Sequence, residues 1–210
     1  MTALESEPDP PTKLLGEEAV EGHVADSLSG IEVAELGAAR RIADVGSGAG
    51  FPGLVLAIAL SPARIDLIES QGRKTAVIDR LLQAAQVENA RSVTSRAEEW
   101  AGKPPPFGGR ESYDAVTARA VAPLGVLAEY ASPLLREGGV LVAWKGARDA
   151  SEEAAADAAA GKLGLQVREP LRVQPFASAR ERHLHVLVKT RPTPEGFPRR
   201  PGMAGKRPLG

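Results

Sequence analysis

The stretch "DVGSGAGFPG", residues 44–53, decides how this chain folds. Gly46, Gly48 and Gly50 bare the main chain, and glycine alone takes left-handed backbone angles without a steric penalty. The short apolar run "RRIADV" precedes them and "PGLVLAIAL" follows, with Pro52 suited to the first turn of a helix. The order is therefore strand, glycine loop, helix. Such a loop lies at the carboxyl end of its strand, facing the unpaired N–H groups that open the next helix.

Working outward, "RIDLIES" reads as a second buried strand ending at Glu69. "GRKTAVIDRLLQAAQ" reads as a helix with Ala76, Ile78, Leu81, Leu82 and Ala85 inward. "ARSVTS" is a third strand, Ala97 to Trp100 a brief turn or helix, and the proline- and glycine-rich residues 101–112 a loop. "YDAVTAR" and "GGVLVAWKG" are strands flanking the helix "PLGVLAEYASPLL". An alanine-rich helix opens near Asp149 and Ser151 with acids in its first turn, as the helix dipole prefers. Two extended segments, Gln166–Pro175 and His183–Lys189, then follow with too short a connection for anything but antiparallel pairing. The fold class is α/β: a mainly parallel, doubly wound, Rossmann-like sheet ending in an antiparallel strand pair. Before the first strand, Val20, Val24, Leu28, Ile31 and Leu36 fall near helical spacing and predict an amphipathic lead-in, although Gly22 and Gly30 interrupt it.

The 210 residues, 43% of them hydrophobic, suffice for one large domain. We expect a disordered acidic tail over 1–16, the domain over 17–190 and a basic tail over 191–210. Residues 1–21 carry six acids against Lys13, whereas residues 191–210 carry five bases against Glu195. A net charge of −1 advertises no polyanion partner, but the basic end suits one locally. The absence of cysteine excludes disulfides and Cys-built zinc sites. The longest aliphatic run, Leu54–Leu60, lies between Pro52 and Pro62 and is too short to span a bilayer. The expectation is a cytoplasmic monomer without a signal peptide or membrane contact.

Ligands of open α/β sheets bind outside the carboxyl ends of the strands. Glu69, 23 residues after Gly46, stands where an acid accepts hydrogen bonds from ribose hydroxyls, so the loop plus Glu69 points to an adenosine-type cofactor. Gly48 to Gly53 satisfies G-x-G-x-x-G literally, which keeps an NAD(P)-dependent dehydrogenase open. Against a pyrophosphate, the glycine cluster begins earlier, at Gly46, just after Asp44, an acid placed to reach the polar groups of a methionine moiety. With the antiparallel end of the sheet, this looks like a class I S-adenosylmethionine-dependent methyltransferase.

Eight segments in order resemble one family, the small-subunit ribosomal RNA guanine-N7 methyltransferases known as RsmG or glucose-inhibited division protein B. They are "HVADSL" (23–28), "DVGSGAGFPG", "ESQGRK" (69–74), "SRAEEW" (95–100), "YDAVTARAVAPL" (113–124), "GGVLVAWKG" (138–146), "ERHLHVLVK" (181–189) and "FPRRPGMAGKRPL" (197–209). The resemblance implies S-adenosyl-L-methionine as cofactor and 16S rRNA or the 30S subunit as partner. It implies that Gly46 and Phe51 contact the cofactor, where the glycine loop itself already offers Gly48, that Ala97 and Glu98 frame the adenine, and that Arg119 reaches cofactor or target base as a positioning group. Most members of the family carry more helix at the amino end, including an Asn-Leu-Thr motif near where this chain reads "PPTKLLGEEAV", and usually an aliphatic residue in place of His185.

Arg119, Lys145, Arg73 and Lys74 follow strands where they can line a mouth for phosphates. Arg182 and His183, before the last strand, and Arg199, Arg200, Lys206 and Arg207, in a flexible tail, are further candidates for RNA backbone. His183 and His185 share one side of a strand but lack a third ligand, so no metal is expected. His23 and Asp26 are one helical turn apart, a spacing that lets the acid orient the ring. No Cys nucleophile, carboxylate pair or triad stands at the expected edge. Guanine N7 needs none, because its lone pair is free for attack. A noncatalytic RNA-binding module is the remaining alternative.

Overall fold

The computed structural model describes residues 2–7, 10, 12 and 16–210. Eight strands form one sheet: β1 Arg41–Val45, β2 Arg64–Glu69, β3 Ala90–Thr94, β4 Tyr113–Arg119, β5 Leu135–Lys145, β6 Leu165–Val167, β7 Leu171–Arg172 and β8 His183–Lys189. The order is β3-β2-β1-β4-β5-β8-β6, with β7 also on β8. The first five strands pair parallel, and β8 runs antiparallel to β5, β6 and β7. This is the mainly parallel sheet with an antiparallel end that the alternating strand and helix signals predict.

The period of two along each strand sorts the core into two layers. Ile42, Ile65, Leu67, Ala115, Val140, Val142 and Trp144 face one side, under helices α5 (Gly53–Ala59) and α6 (Gly72–Ala84). Ala43, Val45, Ile68, Val116, Leu141 and Ala143 face the other, under α7 (Ala97–Ala101), α8 (Leu124–Ala131) and α9 (Ala150–Leu163). Helix α6 buries Thr75, Val77, Ile78, Leu81 and Leu82. The expected inward Ala76 and Ala85 are exposed, because the larger Val77 sets the apolar stripe. Asp149 caps α9 by accepting from the N–H groups of Ser151 and Glu152, and Gly164 ends it in the left-handed conformation.

The lead-in differs from an amphipathic helix. It is α2 (Gly16–Ala19), a π-helical turn (Val20–Ala25), α3 (Asp26–Leu28), a 3-10 turn (Ser29–Glu32) and α4 (Ala34–Gly37). Val24 and Ile31 pack against the core and Leu36 is fully buried, as expected, but Val20 and Leu28 are exposed and His23, Asp26, Ser27 and Ser29 are buried. Two contacts explain the buried polar groups. Trp144 Nε1 donates to the Asp26 carbonyl at 2.8 Å, and the indole lies against Gly30, where a Cβ would collide with it. Within the stretch expected to be a disordered acidic tail, α1 (Thr2–Glu5) packs the buried Leu4 into the core, and Glu7 pairs with Arg80. Counting acids and prolines there passes over that leucine. The same expectation for residues 1, 8, 9, 11 and 13–15 lies outside the described residues. No helix among the described residues is long and apolar enough to cross a membrane.

Candidate active site

The loop after β1 is held from below. The N–H groups of Gly46 and Ser47 donate to the Ile68 carbonyl at 2.8 and 3.2 Å, and that of Gly50 to Ser47 at 2.7 Å. Gly46 has φ +68°, and a Cβ there would stand 2.7 Å from Val121 Cγ2. Glycine is required at this position twice over, by angle and by space. Glu69, at the tip of β2, accepts from the Gly48 N–H at 3.1 Å through Oε2 and from the Gln71 N–H at 2.9 Å through Oε1. Both carboxylate oxygens thus fix the loop and the entry to α6.

Asp44 has a different place from the one its sequence position suggests. It is 0% exposed, with Oδ1 accepting from Thr117 Oγ1 at 2.7 Å and Oδ2 from the Gly53 N–H at 3.2 Å. Burial pushes its carboxyl above the usual range, against the opposing effect of these hydrogen bonds. Asp44 is register partner to Thr117 in the middle of the sheet. Its side chain therefore turns under the loop and ties β4 to the start of α5, beneath the crevice.

Above the loop opens a cavity of about 790 Å³ lined by Gly46, Gly48, Phe51, Glu69 and Arg119, within the ~300–1,000 Å³ usual for ligand sites. Lys74, Lys145 and Arg182 also line it. A smaller recess of about 150 Å³ holds Ala97, Glu98 and Tyr130 and shares Gly46, Glu69 and Val121 with the first. Of the expected cofactor residues, Gly46, Gly48, Phe51, Glu69 and Arg119 line the main cavity and Ala97 and Glu98 the adjoining recess, across the carboxyl ends of β1, β2 and β4, whereas Asp44 lines neither. Bare backbone, a fixed acid and a flanking recess fit the donor and acceptor pattern of an adenosyl ligand.

Arg119 closes β4 opposite Trp144 of β5 and gathers the lead-in around itself. Its Nη1 donates to the Gly22 carbonyl and to Asp26 Oδ2, each at 2.9 Å, and its Nη2 lies 3.1 Å from His23 Nδ1. Its guanidinium also stands 5.8 Å from the centre of the Phe51 ring, on which His23 stacks at 4.4 Å and 5°. The helical spacing suggests that Asp26 orients His23. Instead Arg119 bridges the two, while His23 Nε2 meets Thr12 Oγ1 at 2.8 Å.

The cations separate into two groups. Lys145 alternates with Trp144 and so leans to the other face of the sheet, bonding Glu152 at 2.5 Å and the Ala122 carbonyl at 3.1 Å. Arg182 stands over Asp26, Nε to Oδ1 at 3.5 Å. His183, expected to meet RNA, is buried with Nδ1 at 2.9 Å from the Gly146 carbonyl, since it lies inside β8 opposite Lys145. His185 meets Glu153 at 3.0 Å. Among the described residues no group of three or more His, Asp or Glu is placed to hold a metal ion.

The basic tail, expected to be flexible, is docked. Arg199 forms a two-pronged ion pair with the buried Glu129 of α8, and Arg110 donates to the Phe197 carbonyl at 3.0 Å. Before α10 (Met203–Lys206), the Gly202 N–H donates to Glu98 Oε1 at 2.8 Å. Arg199 is thus a structural anchor, whereas Arg200, Lys206 and Arg207 remain exposed. Sequence reading missed Trp144, Gly30, Glu129 and Gly202. The one signal available was that Trp144 sits one register step before Lys145, on the strand face of Arg119.

This geometry agrees with what the chain is similar to. Solved structures with the same fold include an S-adenosylmethionine-dependent methyltransferase from Aquifex aeolicus, with TM-score 0.63 and 16% identity over 88% of this chain and 99% of that one. Another is an S-adenosylmethionine-dependent O-methyltransferase from Thermotoga maritima, with TM-score 0.60 and 15% identity over 88% and 69%. At the sequence level, the ribosomal RNA small subunit methyltransferase G of Rubrobacter xylanophilus is 42% identical over 190 residues, 89% of this chain and 72% of that protein. The protein of the same name from Symbiobacterium thermophilum is 40% identical over 198 residues, 92% and 79%. The model of the GidB family, rRNA small subunit methyltransferase G, matches residues 15–184. With that match and these relatives, the chain belongs to the rRNA small subunit methyltransferase G family.

Proposed function

We propose that this protein transfers a methyl group from S-adenosylmethionine to N7 of a guanine in small-subunit (16S) rRNA, acting as a cytoplasmic monomer. The observation that carries the proposal is the crevice itself, with a bare glycine loop and Glu69 at one end and Arg119 at the other. Gly46, Gly48, Phe51 and Glu69 hold the cofactor's amino acid and ribose, and Ala97 and Glu98 its adenine. Arg119 positions the reacting groups. Lys145 and Arg182 at the mouth, with Arg200, Lys206 and Arg207 on the tail, meet RNA phosphates, each neutralised phosphate steepening the salt dependence. We assign the methyltransferase domain to residues 17–190 and the RNA-facing appendage to 191–210.

When bound, S-adenosylmethionine supplies a methyl activated by its positive sulfur. The chain's task is orientation and exclusion of water, because guanine N7 has a free lone pair and no proton to remove. This fits a site in which Arg119 is the central polar group. Arg119 is already bonded to Asp26 and Gly22, so it arrives preorganised.

A thermal-shift panel of S-adenosylmethionine, S-adenosylhomocysteine, NAD and NADP tests the cofactor. Ligand at 100 times its Kd stabilises by about 2.7 kcal/mol, and the two sulfur nucleosides are expected to do so where NAD and NADP do not. Radiolabel transfer into 30S subunits, naked rRNA and protein then identifies the acceptor. Stabilisation by NAD alone would return the site to a dehydrogenase, and RNA binding without any cofactor shift to a noncatalytic module.

A further inference from the structure

Two acids line the main cavity among the described residues, Glu69 and Asp26. They are in opposite bonding states. Both oxygens of Glu69 accept backbone N–H groups. Asp26 is 6% exposed; its Oδ2 is taken by Arg119, but its Oδ1 is buried with no hydrogen-bond partner. A buried carboxylate oxygen left unbonded carries a substantial desolvation penalty unless a ligand completes it. Arg182, 3.5 Å away with a side chain 42% exposed, forms an ion pair with that oxygen but no hydrogen bond.

The surroundings hold Asp26 still. Trp144 Nε1 and Ser29 Oγ both donate to its carbonyl, at 2.8 and 2.6 Å. The π-helical turn just before it, Val20–Ala25, is an irregularity of the kind that recurs at functional sites. Position matters as well. Glu69 is at the tip of β2 and Trp144, beneath Asp26, at the end of β5, with β1 and β4 between them. Strands spaced ~4.8 Å apart set the two acids' anchors ~14 Å from each other, which leaves room for a nucleoside cofactor and a purine in series.

We propose, resting on the methyltransferase reading above, that Asp26 is the specificity residue for guanine: its Oδ1, ion-paired with Arg182 but without a hydrogen bond, accepts hydrogen bonds from the 2-amino group and N1–H of the target base. A carboxylate on that edge leaves N7, on the opposite side of the purine, facing the cofactor end of the crevice. Adenine presents a lone pair at N1 and no 2-amino group, so it meets the carboxylate with repulsion. Arg182 is displaced as the base enters and is free to pair with the backbone phosphate.

The test is equilibrium binding, with S-adenosylhomocysteine bound, of oligouridine carrying a single central guanosine or inosine. Inosine lacks only the 2-amino group. Wild-type protein is expected to prefer guanosine by about 10- to 100-fold, the loss typical of a hydrogen bond to a charged group. In Asp26→Asn and Asp26→Ala the ratio falls to within about threefold, and the thermal shift with S-adenosylhomocysteine verifies that each variant keeps its fold and cofactor pocket. Arg182→Ala, which bares Oδ1 without touching Asp26, raises the ratio and serves if both Asp26 variants unfold. Equal affinities in the wild type, an undiminished ratio in a folded Asp26 variant, or a lower ratio in Arg182→Ala each overturns the assignment. Methyl transfer to rRNA is measured alongside. If guanosine preference depends on Asp26 but no methyl moves, it is the catalytic reading that has failed.

Discussion

The amino-terminal lead-in and the carboxyl-terminal segment hold opposite ends of one crevice by opposite means. The lead-in turns polar side chains inward: His23 and Asp26 line the cavity and are gathered by Arg119. The tail keeps its cations outward except Arg199, and reaches the site through backbone, the Gly202 N–H on Glu98. One segment therefore supplies groups that can touch the reacting base, whereas the other steadies the wall at Glu98 and, in the proposed function, turns its remaining cations toward RNA phosphates. Loss of the first should be read in turnover and loss of the second in cofactor affinity.

The sharpest way to break that distinction is Arg119→Ala. The substitution removes the Gly22 and Asp26 bonds together, and single positioning donors of this kind are worth ~10²–10³ in rate. Methyl transfer should fall at least about 100-fold, with a smaller loss of thermal stability because Arg182 still faces Asp26. Activity within a few-fold of wild type would detach Arg119 from the site. Next comes Gly30→Ala. Its new methyl would press on the buried Trp144 indole, and overpacking of this kind costs about 1–3 kcal/mol. Denaturant unfolding should show that loss, with turnover reduced more than S-adenosylhomocysteine affinity.

Much of this was legible beforehand because strands and their tips follow from local pattern. The loop at Gly46–Gly50, Glu69 at a strand end, Arg119 closing β4 and the antiparallel finish all rest on spacing of two or on turn chemistry. What escaped depends on distant partners. Asp44 belongs under the loop because Thr117, 73 residues away, bonds it. His23 and Asp26 of the lead-in turn inward because Arg119 and Trp144 receive them, a preference that helical periodicity in a single segment does not encode. Arg199 looks like any tail cation until Glu129 of α8 is found buried beside it.

That ion pair sharpens the tail's half of the comparison. In Arg199→Ala, Glu129, whose side chain is only 2% exposed, loses its counterion, and the segment carrying Gly202 loses its anchor. Breaking a fully buried pair costs about 3–5 kcal/mol; with Arg199 partly solvated, about 1–3 kcal/mol is the reasonable range. S-adenosylhomocysteine affinity, followed by calorimetry, should drop about tenfold or less, since ~1.4 kcal/mol is a factor of ten and only part of the loss reaches Glu98. Turnover at saturating cofactor should hardly change. A large fall in turnover with unchanged affinity would mean that Arg199 acts on the reacting groups and that the two segments are alike.

The smallest effect belongs to a cluster between neither segment and the crevice, and so serves as the control. Glu153 of α9 is bonded by Arg148 and His185, and these partners, Arg148 foremost, hold its carboxyl down at about 2 from a usual 4.5. A carboxyl lowered in the folded state contributes stability that is fully present above its unfolded value and is lost as pH falls through the folded one. Unfolding midpoints should therefore decline between pH 4.5 and about 2, and Glu153→Gln should flatten part of that decline. Because the carboxylate is partly solvated, the difference should be modest. S-adenosylhomocysteine affinity at neutral pH should be unaffected. If Glu153→Gln instead weakened the cofactor as much as Arg199→Ala does, affinity would be reporting general loosening of the sheet, and the tail could not be credited with steadying Glu98 in particular.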